Sequence, residues 1–146
     1  MDSQNAGILP EVSCPQATET AGADFSNIRL LYVEDDNNTR DILVLSLRHF
    51  FQEIHLASNG EEGLEIFDRI HPDIVISDLR MPGMSGLEMT RKIREKNATV
   101  PVIVTTAYSD LEVLIEAVEA GIVHYLIKPV YIQDLLESVK KSLRLK

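Results

Sequence analysis

The sequence predicts a doubly wound α/β fold, a strand and a helix repeated five times around a parallel sheet. Three observations carry that expectation. From Asn27 onward, short apolar runs alternate with amphipathic segments. The runs are apolar on both faces, as strands covered by helices on both sides are. Right-handed crossovers leave few topologies for such a chain, and for five strands the order 2-1-3-4-5 is the commonest.

Residues 1–27 hold Asp2, Glu11, Glu19 and Asp24 among scattered Ser, Thr, Gln, Gly and Pro, with neither a helical nor a strand period. They read as a disordered acidic tail, and the folded unit as residues 28–146. Five strands are expected at Ile28 to Val33, Ile54 to Ala57, Asp73 to Ser77, Val100 to Thr105 and His124 to Ile127. The first helix is signalled by Leu43, Leu47, Phe50 and Phe51, the fourth by Leu111, Leu114, Ile115 and Val118, and the fifth by Ile132, Leu135, Leu136 and Val139. The second rests on Gly63, Phe67 and Ile70 behind the start signal at Ser58 to Glu62. The third rests on Met89 and Ile93 behind Ser85 and Gly86. Pro72 and Gly121 mark helix ends.

In the order 2-1-3-4-5, strands 1, 3 and 4 lie side by side and their carboxyl ends face one crevice, where open α/β sheets keep their chemistry. Strand 1 delivers Glu34, Asp35 and Asp36 to that edge, strand 3 delivers Asp78, strand 4 Thr105 and Thr106, and strand 5 Lys128 before Pro129. Taken alone, Asp78 reads equally well as a turn-capping aspartate ahead of Pro82 and Gly83. The company it keeps changes that. Two carboxylates about 4 Å apart repel by about 4 kcal/mol at an effective dielectric near 20, and a bound cation removes the cost. An all-oxygen set with room for water and a phosphate oxygen suits Mg²⁺ better than a full Ca²⁺ cage. One of the three acids after strand 1 is expected to cap the next helix instead, and Asp36 is the choice. Lys128, at the end of an apolar strand, needs a carboxylate or phosphate partner.

A net charge of −9, with 14 basic residues, argues against a nucleic-acid surface in this chain. The single cysteine, Cys14, forms no internal disulfide and has no zinc-like cluster around it, which points to a reducing compartment, the cytoplasm. No apolar run approaches the roughly 18 residues of a membrane helix. Gly-rich phosphate loops, Ser/His/Asp orders and His-rich metal motifs are missing.

Four motifs in order resemble the receiver domain of two-component response regulators, typified by the bacterial chemotaxis response regulator. They are Glu34-Asp35 after an apolar strand, Asp78 in the stretch from Asp78 to Gly86, Thr106-Ala107, and Tyr125-Leu126-Ile127-Lys128-Pro129. The resemblance covers about residues 28 to 144 and implies a flavodoxin-like fold. It implies that Asp78 is the phosphoacceptor and that Asp35, the Asp78 carboxylate and the Arg80 backbone carbonyl bind Mg²⁺, with Glu34 acting through metal-bound water. Lys128 would neutralise phosphoryl oxygens and the Thr106 hydroxyl would bond to one of them. Tyr125 would be the aromatic that turns inward when Thr106 moves, switching the face of helix 4, strand 5 and helix 5. Arg80 and Tyr108, flanking the path of hydrolytic water, would tune the phosphoryl lifetime, and the Lys-Pro bond would be cis.

The implied donor is a phosphohistidine on a sensor histidine kinase or histidine phosphotransfer protein, and the implied recipient of the signal is a downstream output domain or protein. Such a domain is a signalling module with self-catalysed phosphoryl transfer and dephosphorylation rather than an enzyme acting on a separate substrate. One rival is a pseudo-receiver that keeps the fold and acts as an unphosphorylated interaction module. Another is an aspartyl phosphatase, but that class carries a second acid two residues after the nucleophile, where this chain has Arg80. The residues suit a receiver standing alone as well as one within a longer regulator or hybrid kinase, and they leave the oligomeric state open.

Overall fold

The computed structural model describes residues 25–107 and 111–144. The greater part of the expected tail, Cys14 within it, and Tyr108 lie outside the described residues. Strands β1 (Arg29–Val33), β2 (Glu53–Ala57), β3 (Ile74–Asp78), β4 (Val102–Thr106) and β5 (His124–Ile127) alternate with helices α1 (Asn37–Leu47), α2 (Gly60–Ile70), α3 (Gly86–Lys96), α4 (Leu111–Ala120) and α5 (Ile132–Ser142). The sheet is parallel throughout, in the expected order β2-β1-β3-β4-β5.

Alternation along the strands splits the core in two. Leu30, Tyr32, Ile74, Ile76 and Ile103 face α1 and α5, where they meet Leu43, Leu47, Leu135, Leu136 and Val139. Leu31, Val33, Val75, Val102 and Val104 face α2, α3 and α4, meeting Phe67, Met89, Ile93, Leu114 and Ala117. The central strands β3 and β4 are buried at every position, whereas edge strand β5 alternates half-buried and exposed residues. Coverage falls off at both edges of the sheet: β2 has one buried position, Ala57, and β5 has none.

The helix starts follow capping chemistry. Asp36 caps α1 as expected, its carboxylate accepting from the Thr39 amide at 2.8 Å. Asn59 caps α2, and Ser85 with Glu88 forms a complete capping box on α3. Three details differ from the periodic reading. α1 stops at Leu47, so Phe50 and Phe51 lie beyond it, yet Phe51 is buried with its ring centroid 5.0 Å from that of Phe25. Phe25 thus packs into the core three residues before the boundary expected at Ile28. On α4 the buried stripe runs through Leu114 and Ala117, leaving Ile115 and Val118 mostly exposed.

Candidate functional site

The strand registers set the site. Val33 pairs with Ser77, Asp78 with Thr105, and Thr106 with Ile127, so the residues that follow β1, β3, β4 and β5 reach the same edge. Backbone bonds hold the exits in place: the Glu34 amide donates to Ala57 O at 3.0 Å, that of Leu79 to Thr105 O at 2.9 Å, and that of Lys128 to Thr106 O at 2.8 Å. Lys128 is joined to Pro129 by a cis bond.

Glu34 and Asp78 are buried there, while Asp35 is exposed at the rim. The three carboxylates each offer an oxygen within 4.8 Å of the others. Lys128 Nζ lies 3.1 Å from Asp78 Oδ2 and 3.6 Å from Glu34 Oε1, bridging the two buried acids. Burial pulls the lysine's pKa down, but the Asp78 and Glu34 carboxylates outweigh it and hold the ammonium above its usual value. Glu34 moves the other way: burial first, then the charge of Asp78, push it up from 4.5 to about 7. Its Oε2 accepts from the Asp36 amide at 3.2 Å, whereas Oε1 is buried with no hydrogen-bond partner.

One ammonium for three acids leaves negative charge in excess, the buried Glu34 Oε1 has no hydrogen bond and only a 3.6 Å ion pair with Lys128, and the donors are all hard oxygens. A hard divalent ion fits that set.

Thr106 is fully buried, its hydroxyl donating to Ala107 O at 3.2 Å. Tyr125 is 47% exposed on β5. Arg80, two residues past Asp78, is exposed between the buried Leu79 and Met81. Glu34, Asp35, Asp78 and Lys128 are brought into one cluster, with Thr106 at the same edge and Arg80 at its rim.

Arg40 was not among the candidates. Its Nη1 donates to Glu34 O at 3.0 Å and to Ser58 Oγ at 3.1 Å, and its Nη2 donates to Asn37 Oδ1 at 2.7 Å. It ties the acid-bearing turn to the start of α2. Only its position in the first turn of α1 distinguishes it in the sequence, and most arginines placed so are solvated.

The model of the response regulator receiver domain family matches residues 30–140. The chain belongs to the receiver domain family. The regulatory protein AtoC of Escherichia coli is 38% identical to this receiver over 117 residues, 80% of this chain and 25% of AtoC. A cyclic di-GMP phosphodiesterase of Thermotoga maritima is 36% identical, covering 79% of this chain and 31% of that protein. This receiver therefore spans between a quarter and a third of those relatives. The crystal structure of a response regulator receiver domain protein from Clostridium thermocellum superposes with a TM-score of 0.74 at 32% identity, over 80% of this chain and 94% of that one. The fold is accordingly the flavodoxin-like arrangement of receivers, and no helix among the described residues is long and apolar enough to cross a membrane.

The state of Glu34 gives this receiver a pH signature. Between about pH 4.5 and 7 the folded chain keeps a proton on Glu34 that the unfolded chain has lost. This group's contribution to stability therefore falls as pH rises through that window. A divalent ion drawn to these carboxylates would displace that proton, so its affinity should rise with pH and level off above about pH 7. Isothermal titration with Mg²⁺ at several pH values, repeated on Glu34→Gln, checks this. The wild type should release protons on binding and the variant should not; equal proton release in both would place the titration elsewhere.

Proposed function

We propose that this chain is the phosphoacceptor receiver of a two-component phosphorelay. The observation that carries the reading is Lys128 Nζ bridging Asp78 and Glu34 within a cluster of three carboxylates at the sheet's carboxyl edge. Carboxylates are gathered there at electrostatic cost, and a lysine is aimed at the one that ends the central strand.

Asp78 is the nucleophile. Its carboxylate oxygen attacks the phosphorus of a phosphohistidine; a P–O bond forms as the P–N bond breaks, and the electron pair leaves with the imidazole. Lys128, already 3.1 Å from the Asp78 carboxylate, moves its charge onto the phosphoryl oxygens. Glu34, Asp35, Asp78 and the Arg80 carbonyl are the groups that would hold Mg²⁺, which supplies charge neutralisation for the incoming phosphoryl group. Thr106 turns its hydroxyl from the Ala107 carbonyl to the new phosphoryl oxygen. Water later cleaves the acyl phosphate, restoring the carboxylate and releasing inorganic phosphate.

Phosphorylation adds roughly −1.5 to −2 charges, and a switch requires an element that contacts the site differently in its two states. Thr106 with Tyr125 is that element in this reading. The exposed apolar residues Ile115 and Val118 on α4, Val123 just before β5 and Tyr125 on β5 support the α4-β5-α5 face as the surface that signals to an output domain or protein. The donor is a sensor histidine kinase or a histidine phosphotransfer protein, and the compartment is the cytoplasm.

Intact mass after incubation with Mg²⁺ and acetyl phosphate tests the proposal. One phosphoryl adduct that needs Mg²⁺ is expected. Absence of the adduct where a known receiver acquires one would make this a pseudo-receiver. A second measurement concerns lifetime: replacing Arg80 and Tyr108 together by Ala should speed loss of the adduct by about tenfold, corresponding to about 1.4 kcal/mol of barrier. An unchanged decay rate would remove both from the path of the hydrolytic water.

A further inference from the structure

A cavity of about 570 Å³ opens between α1 and the turn after β5. Ile42 and Ser46 of α1 form one wall, and Val130 and Ile132 form the other. Three buried residues, Tyr32, Glu34 and Thr105, line it, together with Lys128. The volume is that of a pocket for a small organic ligand, with apolar walls and a few converging polar groups.

Two of those polar atoms are buried without a hydrogen bond: Thr105 Oγ1, and Glu34 Oε1, which has the Lys128 ammonium at 3.6 Å as its ion-pair partner. Buried oxygens left unpaired are uncommon enough to need a reason. Carboxylates around this end outnumber the single lysine, since Asp35 and Asp78 stand beside Glu34. An anion that brings no divalent ion with it meets the excess of carboxylates beside Glu34, while a cation that donates hydrogen bonds is favoured there.

We propose that the cavity is a binding site for a small amphipathic cation, an amine or amidine on a one- or two-ring apolar body, whose head donates to Glu34 Oε1 and Thr105 Oγ1. The apolar body lies against Ile42, Val130 and Ile132. Because Glu34 belongs both to this cavity and to the carboxylate cluster, the ligand and a divalent cation bind antagonistically. The regulatory consequence, slower phosphorylation with the ligand bound, rests on the phosphoacceptor reading; the binding itself does not.

The test uses the full chain labelled with ¹⁵N, with benzamidine and phenethylamine as cationic probes and benzoate as the anionic control of similar size. Both cations should shift the amides of Ser46, Thr105 and Ile132, and benzoate should not. Adding Mg²⁺ should weaken probe binding about fivefold or more. Thr105→Val, which removes the orphan hydroxyl, should weaken it about tenfold. Ser46→Phe, at a half-buried position on the cavity wall, should fill the cavity and abolish the shifts while the rest of the spectrum is kept. No shifts, equal shifts from benzoate, or shifts that survive Ser46→Phe would overturn the proposal; in the last case a surface elsewhere holds the probes. The phosphoryl adduct, read by mass on the same sample, separates the two readings. A normal adduct without probe shifts removes the cavity ligand alone, and probe shifts without an adduct remove the phosphoacceptor alone.

Discussion

Asp78→Asn should abolish the phosphoryl adduct completely under conditions that fully modify the wild type. The amide is nearly the same shape as the carboxylate, and its oxygen still accepts from Lys128, so the β3 exit at 7% exposure is kept. What disappears is the anionic oxygen that attacks phosphorus, which no neighbour replaces: Glu34 is buried under Lys128, and Asp35 is exposed at the rim. The same change removes the second largest cause of the raised Glu34 pKa, so Glu34 should titrate closer to 4.5 in the variant. Mass spectrometry with peptide mapping reads the first effect, and carboxyl NMR of Glu34 the second. An adduct that persists in Asp78→Asn would place the acceptor on another residue. A Glu34 titration that stays put would mean that burial alone sets its pKa.

How far the sequence revealed this site depended on whether the signal was local. Asp78 stood out because an apolar strand ran straight into an acid followed by Pro and Gly, and Asp36 because a capping aspartate sits immediately before its helix. Residues whose role depends on distant partners were harder to find. Arg40 matters through Ser58, eighteen positions away, and its own neighbourhood looks like any solvated first turn. Thr105 reaches the same edge as Thr106 with no role readable from the sequence, and its hydroxyl is buried without a hydrogen bond. The face of α4 was misread because Ile115 and Val118 are the larger apolar residues and Ala117 the small one. Packing against α3 selects the small side chain, and the branched pair stays at the surface. Phe25 carries no period at all in a polar stretch, and only its ring contact with Phe51 reveals it. Periodicity locates elements, but close packing between elements decides which face is buried.

Among the glycines of the described chain, Gly86→Ala should be the most damaging change, because of where the start of α3 lies. A Cβ at Gly86 would stand 2.2 Å from the carbonyl oxygen of Asp78 and 3.1 Å from Leu79 Cα. These are backbone atoms, so no rotamer relieves the contact. The Asp78 carbonyl also accepts from Ser77 Oγ at 2.8 Å, and the Gly86 amide donates to Leu79 O at 2.9 Å. The helix start and the exit of β3 are therefore fastened together at van der Waals distance, and a methyl forces them apart by about an ångström. Overpacking a well-ordered interior usually costs 1–3 kcal/mol, and with rigid neighbours on both sides a loss of about 3 kcal/mol is expected. Displacement of β3 also moves Asp78 away from Lys128, so phosphorylation should slow well beyond what partial unfolding explains. Gly83→Ala is the comparison. There φ is +75° and the nearest atom to a new Cβ is a Glu61 carboxylate oxygen at 3.6 Å, so only backbone strain of about 1 kcal/mol is at stake. Denaturant titration of both variants, with the adduct rate measured on the folded fraction, decides the matter. If Gly86→Ala costs no more than Gly83→Ala, the loop yields to the methyl, and the carbonyl of Asp78 does not fix the position of the nucleophile.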